Sequence, residues 1–154
     1  MYLPSVEVLK VLGYRNSKDV VFTERNPEQK LFLYVVINAI EDVLVHQSDR
    51  KSSFIKCEAH NWLIGYSDDF IKICEWALLD PEKIRYSYIY SLKKGTIRFT
   101  QKQVNWQKYR TTFFKNKKLS EKEKRRKKGM LRNLRIQAHS SSLNFVSTLF
   151  LSVI

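Results

Sequence analysis

Residues 67–85 have the sequence SDDFIKICEWALLDPEKIR, which predicts two short helices joined by a sharp turn. Ser67 is suited to cap the first helix, because its hydroxyl can accept from the free N–H groups of the opening turn. Asp80 and Pro81 begin the second helix, with aspartate as the cap and proline at the first helical position, where a missing N–H costs nothing. About three residues separate the two helices, which is the length of a helix-turn-helix connection.

The spacing of small and apolar residues in this stretch also matches a helix-turn-helix unit. Cys74 is small enough to let the two helices cross closely, and Leu79 and Ile84 would pack in the angle between them. Leu78 departs from the pattern, because the turn favours a positive φ and therefore glycine. Helix pairs of this shape also occur in plain protein cores, so the sequence leaves both interpretations open.

The second helix would read the base pairs if this unit docks in a major groove. Its predicted outward residues are Glu82, Lys83, Arg85, Tyr86 and Tyr88. Of these, Arg85 suits a bidentate contact with guanine. The carboxylates of Asp80 and Glu82 count against this interpretation, because they would lie near phosphates.

The net charge of +13 is concentrated in one part of the chain. Residues 1–91 carry 11 Lys/Arg and 13 Asp/Glu, whereas residues 92–139 carry 17 Lys/Arg and only 2 Asp/Glu. Residues 140–154 contain no charged side chain. A polyanion is the natural partner of the basic segment.

These shifts in charge predict three segments. They are a helical domain over residues 1–95 with its helix-turn-helix-like unit at 67–91, a basic aromatic-rich extension over 96–139, and an apolar tail over 140–154. Gly and Pro are scarce, at 4 and 3 residues, which favours a mainly α fold.

The basic segment is the stronger indication of nucleic-acid binding, because cations that neutralise phosphates release counterions. Trp106, Tyr109, Phe113 and Phe114 lie between the charges and could stack on unpaired bases. Alternatively, these aromatic side chains pack on a core and the lysines are merely solvated. The predicted nucleic-acid-binding residues are Lys83, Arg85, Tyr86, Tyr88, Lys93, Lys94, Arg98, Lys102, Trp106, Lys108, Arg110, Lys124, Arg125, Arg126, Lys127 and Lys128.

Two further helices are predicted before the helix pair. Asn26 and Gln29 form a capping-box pattern around Pro27, and a helix follows to residue 45. Ser53 is expected to begin the next helix and Gly65 to end it in the left-handed conformation. The predicted apolar face of the first of these helices comprises Phe32, Val35, Val36, Ala39, Ile40, Val43 and Leu44.

Other segments are less determined by their patterns. Residues 6–12 could form a helix or a strand ending at Gly13, and residues 19–23 suggest an extended piece. Residues 96–100 alternate in the manner of a short strand. A capping box of Ser120 and Glu123 predicts a basic helix, and the final 15 residues suit an edge strand or a docking segment.

No enzyme is indicated, because glycine-rich phosphate loops, nucleophile elbows and nuclease-like His/Asp clusters are missing from the sequence. Cys57 and His60 have the spacing of half a zinc site, but a structural thiol with a surface histidine explains them better. No cofactor or metal is therefore expected. Two cysteines without a disulfide framework and no recognisable signal peptide indicate a cytoplasmic protein, and no segment suits a membrane span.

The pattern from Trp62 to Arg85 resembles a signature of small, mostly uncharacterised phage and prophage proteins. It consists of a Trp, the start Ser67-Asp-Asp-Phe70, Cys74 in the helix, and Leu79-Asp-Pro-Glu82 followed by Ile84-Arg85. The resemblance covers roughly residues 28–90, and the family often has glycine where this chain has Leu78. It implies a compact helical module of mobile-element origin that could bind DNA, and it implies no reaction.

The leading hypothesis is therefore a non-enzymatic, phage-related regulator that binds nucleic acid, with duplex DNA favoured over RNA. Its motivation is the capped helix pair beside a segment with a net charge of +15. The alternatives are a protein-interaction module for a host factor and an RNA-binding accessory protein.

Overall fold

The described part of the chain, residues 4–14 and 25–147 of this computed structural model, forms seven α-helices and no strand. The mainly α fold is thereby confirmed. The helices are α1 (Val6–Leu12), α2 (Pro27–Val43), α3 (Arg50–Gly65), α4 (Asp68–Trp76), α5 (Pro81–Lys94), α6 (Gln101–Lys117) and α7 (Glu121–Ser140). The extended piece predicted at residues 19–23 lies outside the described residues, as does the tail beyond residue 147.

Local capping chemistry sets most of the helix ends. Asn26 and Gln29 form the predicted capping box at the start of α2. Gly13 ends α1 at a φ of 83°, so residues 6–12 are a helix and not a strand. The prediction for α3 is wrong at both ends, because Asp49 caps its start and Tyr66, rather than Gly65, takes the left-handed conformation at its end.

The α4–α5 turn has the predicted caps and an uncommon backbone. Ser67 accepts from the N–H of Phe70, and Asp80 accepts from the N–H of Glu82. Leu78 has a φ of 57°, the region that glycine would occupy without strain. A left-handed residue with a Cβ costs roughly 1–2 kcal/mol. The turn therefore holds Leu78 in a backbone conformation that its own side chain disfavours.

The main core lies where α1 to α5 meet. Cys74, Leu79 and Ile84 are all buried in it, as the spacing of the helix pair predicts. On α2 the prediction is partly wrong, because Leu33 and Ile37 are buried while Val35 is 38% exposed. The apolar run of α2 continues around most of the helix, so spacing alone could not decide which side faces the core.

Residues 96–100 form no strand, but they make backbone hydrogen bonds with the tail. Thr100 makes one isolated antiparallel bridge with Phe145, and the N–H of Val146 donates to the carbonyl oxygen of Phe99 over 2.9 Å. The N–H groups of Gln101 and Lys102 donate to carbonyl oxygens of the tail, at 2.8 and 3.1 Å. The tail thus satisfies N–H groups that the first turn of α6 cannot satisfy within the helix.

The basic segment folds into a helical hairpin against the domain. The hairpin consists of α6 and α7; α6 packs on α3, and α7 packs on α6. A second cluster of buried residues, Trp106, Tyr109 and Ala138, joins the two helices and includes Phe54 of α3. The boundary predicted at residue 95 therefore separates helices that share packing contacts.

Lys56 of α3 is almost completely buried, at 1% exposure, without a carboxylate beside it. Its Nζ donates to the carbonyl oxygen of Val45 over 2.7 Å and to that of Arg98, and it lies 4.6 Å from the centre of the Phe99 ring. It thus joins the chain after α2 to the segment that leads into α6. Burial lowers the pKa of Lys56 to about 8.

The buried lysine makes stability depend on pH. Below pH 8 the native and unfolded chains both hold the Lys56 proton, whereas between about 8 and 10.4 only the unfolded chain still holds it. The free energy of unfolding of the wild type, minus that of Lys56→Met, should therefore rise by up to about 3 kcal/mol over this range. Urea denaturation at pH 7, 9 and 10.5 measures the difference, and a flat difference would contradict it.

Candidate nucleic-acid interface

The largest concentration of free positive charge lies on α7. This helix of 20 residues has Ala138 as its one buried side chain among the described residues. Arg125, Arg126, Lys127 and Lys128 are exposed, as the sequence predicts, whereas Lys124 is half-buried and ion-paired with Glu121 over 3.4 Å. The helix is therefore a cationic rod with one side on α6 and the rest in solvent.

Four cations of α7 form a single stripe along the helix. Arg125, Lys128, Arg132 and Arg135 follow one another at spacings of three, four and three residues, which places them on one side of an α-helix. All four are exposed, and in the part of the chain that the structure describes none has an ion-pair partner. At 1.5 Å per residue, the stripe is about 15 Å long.

The stripe borders a groove between α6 and α7. The groove consists of two adjoining depressions of about 390 and 510 Å³ that share Lys128 and Leu131. Its floor is apolar, with Tyr109 and Phe113 of α6 facing Leu131. The cations along its edges are Lys117, Lys124, Arg125, Lys128, Arg132 and Arg135, and Glu121 is its one carboxylate among the described lining residues.

Two residues of the stripe, Arg132 and Arg135, are absent from the predicted binding residues. They lie beyond Gly129, where the dense basic run ends, so a search for consecutive charges stops before them. The helix continues through Gly129, which is exposed, and a Cβ added at this position would have no heavy atom within 4 Å. The helical spacing of the cations was the signal that could have revealed both arginines.

The predicted reading helix, α5, presents fewer free cations. Lys83, Lys93 and Lys94 are exposed, and Tyr86 is 72% exposed. However, Lys93 and Lys94 occupy the last turn, where they interact favourably with the helix dipole. α3 packs against both α5 and α6, and α7 packs on α6, so the cations of α5 and those of α7 lie on helices that are joined through α3 and α6.

Arg85 is partly held by the domain rather than free on the surface. Its Nε donates over 3.0 Å to the carbonyl oxygen of Ile64 in the last turn of α3, and its guanidinium lies 5.5 Å from the centre of the Tyr66 ring. The side chain thereby satisfies a carbonyl group that the helix end leaves without a partner. The predicted bidentate contact with guanine stays a prediction, and it would use the terminal nitrogens of the guanidinium, since Nε is already engaged.

Tyr88 and Trp106 cannot contact nucleic acid in this structure, so these two predictions are wrong. Tyr88 is completely buried, and its hydroxyl lies 2.6 Å from Nδ1 of His60. Trp106 is 1% exposed and packs edge-on against Phe54 and Tyr109. Both side chains are large and apolar enough that the core holds them, which sequence spacing does not distinguish from a stacking surface.

Among the other predicted stacking residues, Phe114 is the most accessible, at 47% exposure. Tyr109 is buried and Phe113 is half-buried. The ring of Phe114 lies under the cations of Arg110 and Lys117, at 5.4 and 5.2 Å. The hairpin therefore offers many cations for phosphates and few free aromatic faces for bases.

The remaining predicted cations lie around the base of the hairpin. Lys108 is exposed on α6, Lys102 is half-buried, and Arg98 is exposed with its guanidinium 4.5 Å from the centre of the Phe145 ring. Arg110 is ion-paired with Glu58 of α3. These residues form a weaker extension of the basic surface toward α3 and the tail.

Cys57 and His60 are both buried, so the prediction of a surface histidine is wrong. The thiol of Cys57 donates to the carbonyl oxygen of Gln103 over 3.8 Å, and burial raises its pKa to about 12. Within residues 4–14 and 25–147, no three His, Cys, Asp or Glu side chains are arranged to hold a metal ion. In the same residues, no helix has the length and apolarity to cross a bilayer.

Comparison with protein-family models, with curated proteins and with solved structures finds no match to this chain. The resemblance to phage and prophage proteins therefore stays a prediction from the sequence signature. The geometry and charge of the hairpin are therefore the basis for assigning a function.

Proposed function

We propose that this is a non-enzymatic DNA-binding protein that holds duplex DNA along the α6–α7 hairpin. The observation that carries the proposal is the stripe of Arg125, Lys128, Arg132 and Arg135 beside the basic groove. Four free cations within about 15 Å of helix can neutralise several phosphates of one strand, which carries one phosphate per about 3.4 Å along the axis of the duplex. The resemblance of residues 28–90 supports a regulatory role in a phage or prophage.

Duplex DNA is favoured over RNA because of the shape and surface of α7. The major groove of B-form DNA is wide enough to admit an α-helix, whereas that of A-form RNA is too narrow for side chains to read. Recognition of single strands depends on aromatic side chains that stack on bases. Trp106 and Tyr109 are buried and so cannot provide such contacts.

The buried free thiols of Cys57 and Cys74 suit a reducing compartment, so the proposal places the protein in the cytosol. Phosphate contacts orient a protein on DNA without reading its sequence. In this proposal, base contacts would come from exposed side chains of α5 such as Lys83 and Tyr86.

A salt titration tests the proposal. The affinity for a fluorescent duplex of about 30 base pairs, measured by anisotropy between 50 and 300 mM NaCl, should fall with a log–log slope of roughly −4 to −6. Single-stranded DNA and duplex RNA of the same sequence should bind more weakly. Absence of binding at the lowest salt would contradict the proposal, and tighter binding to single strands would favour an RNA-binding accessory protein instead.

A further inference from the structure

A second surface, along α2, differs from the hairpin in charge and in apolarity. Two depressions, of about 450 and 430 Å³, lie at its N-terminal and C-terminal ends. Phe32 contributes to the first, and Val35 and Ala39 contribute to the second. Spacings of three and four residues place these three side chains on one side of α2. The two depressions share no lining residue, and we call the surface that contains both the acidic groove.

The apolar side chains at both ends of the acidic groove are partly exposed to solvent. Trp76 and Leu78, at the N-terminal end, are each 53% exposed, and Trp76 packs against Phe32 with ring centres 4.8 Å apart. Ile55 and Trp62 of α3 line the C-terminal end, where Ile55 is 39% exposed. Exposed apolar side chains that cluster beside polar groups are a common feature of protein interaction sites.

The charged side chains of the acidic groove are all carboxylates. Glu28 and Glu75 line its N-terminal depression, Asp42 and Glu58 line the other, and among the described residues neither lining includes Lys, Arg or His. Glu58 is ion-paired with Arg110, whereas Glu28, Asp42 and Glu75 have no ion pair among the described residues. The chain has a net charge of +13, so these carboxylates form a local concentration of negative charge in a basic protein.

Two residues of the acidic groove are held in unfavourable states in the isolated chain, Leu78 by its backbone conformation and Asp42 by its burial. Leu78 occupies a left-handed conformation that strains any residue with a Cβ, yet half of its side chain remains in solvent. Asp42 is half-buried and has no ion pair within the described part of the chain, and this burial raises its pKa. A partner that covers Leu78 and brings a cation to Asp42 would offset both costs.

We propose that the acidic groove binds a basic amphipathic helix of a partner protein. The stretch from Glu28 to Asp42 is about 21 Å long, which matches about four turns of a helix. Apolar side chains of that helix at i, i+3, i+4 and i+7 pack on Phe32, Val35 and Leu78. Its lysines or arginines face Glu28, Asp42 and Glu75. The groove meets the hairpin at the Glu58–Arg110 ion pair, whereas the stripe of Arg125, Lys128, Arg132 and Arg135 lies outside its lining.

A designed peptide tests the charge and the pattern of this site. The probe is a fluorescein-labelled helical peptide of about 18 residues, made of leucine and lysine with leucines at the spacing above. Its control has glutamate in place of every lysine. The protein's own positive charge repels the lysine peptide, so its binding would indicate a local acidic surface. We expect saturable anisotropy with the lysine peptide and none with the glutamate peptide.

Matched variants of the full chain locate the site. The triple variant Glu28→Gln/Asp42→Asn/Glu75→Gln should weaken peptide binding at least about tenfold. Leu78→Gly, which also relieves the backbone strain, should weaken it about fivefold while preserving the fold. The control variant removes three exposed carboxylates elsewhere, Glu7→Gln/Asp68→Asn/Glu123→Gln, and should keep wild-type affinity.

Three results would overturn the proposal. They are an absence of lysine-peptide binding to the wild type, equal binding of both peptides, and unchanged affinity in folded groove variants. Light scattering adds a separate outcome. If the chain self-associates through this surface and the groove variants abolish that association without any peptide binding, the occupant is a second copy rather than a partner helix.

Discussion

Replacing Arg125, Lys128, Arg132 and Arg135 together by glutamine is expected to weaken duplex-DNA binding on the order of 1,000-fold at about 0.1 M salt. Each phosphate contact contributes roughly 0.9 to the slope of log affinity against log salt, so the slope should shrink by roughly 3 to 4. Glutamine has a helix propensity close to that of lysine and arginine, so α7 should persist. Anisotropy titrations at several salt concentrations measure both quantities.

The control for this variant removes the same charge from another part of the protein. Lys10, Lys30, Lys51 and Lys72 are exposed lysines outside the hairpin, and their replacement by glutamine gives a chain of equal net charge. This control should lose no more than about tenfold in affinity, because its charges lie outside the hairpin and salt screens exposed charges that make no direct phosphate contact. Equal losses in the two variants would mean that total charge, and not the stripe, attracts DNA.

Replacing Trp106 by alanine is expected to reduce the free energy of unfolding by about 3–5 kcal/mol. The indole is 1% exposed and lies between Phe54, Tyr109 and His139, so its removal opens a cavity where the hairpin joins α3. Domains of ordinary size have a stability of about 5–15 kcal/mol, so this loss is a large part of the total. Urea denaturation followed by circular dichroism measures it.

Trp76 provides the matched control, because the same substitution there removes a side chain that is 53% exposed. Trp76→Ala should cost about 1 kcal/mol or less. Trp106→Phe keeps most of the packing volume and should retain DNA affinity, since a buried indole contacts no base. Loss of DNA binding in a folded Trp106→Phe protein would show that the indole contacts the nucleic acid after all.

The two surfaces suggest how the charge of this chain is used. The groove of the hairpin has an apolar floor with cations along its edges. The acidic groove is also apolar, but its charged side chains are carboxylates. A protein that binds DNA on the first and a basic helix on the second would bring that partner to DNA. The hypotheses of DNA binding and of protein interaction are then compatible, and the variants described above separate them experimentally.

The sequence by itself determined the helical class, the caps and the location of the charge. Ser67, Asp80 and Asn26 cap helices as predicted, because a cap depends on a side chain and a backbone N–H only two or three residues away. The distribution of charge also needs no structure, since nearly all the lysines and arginines of α7 remain in solvent.

The tertiary structure decided the role of each long side chain. Arg85 has the reach to contact DNA, but the end of α3 lies beside it and offers a carbonyl oxygen. Trp106 has a stacking face, but α3 and α7 cover it. Arg132 and Arg135 complete the stripe only because the helix continues through Gly129. Such outcomes depend on residues far away in the chain, and local spacing carries no information about them.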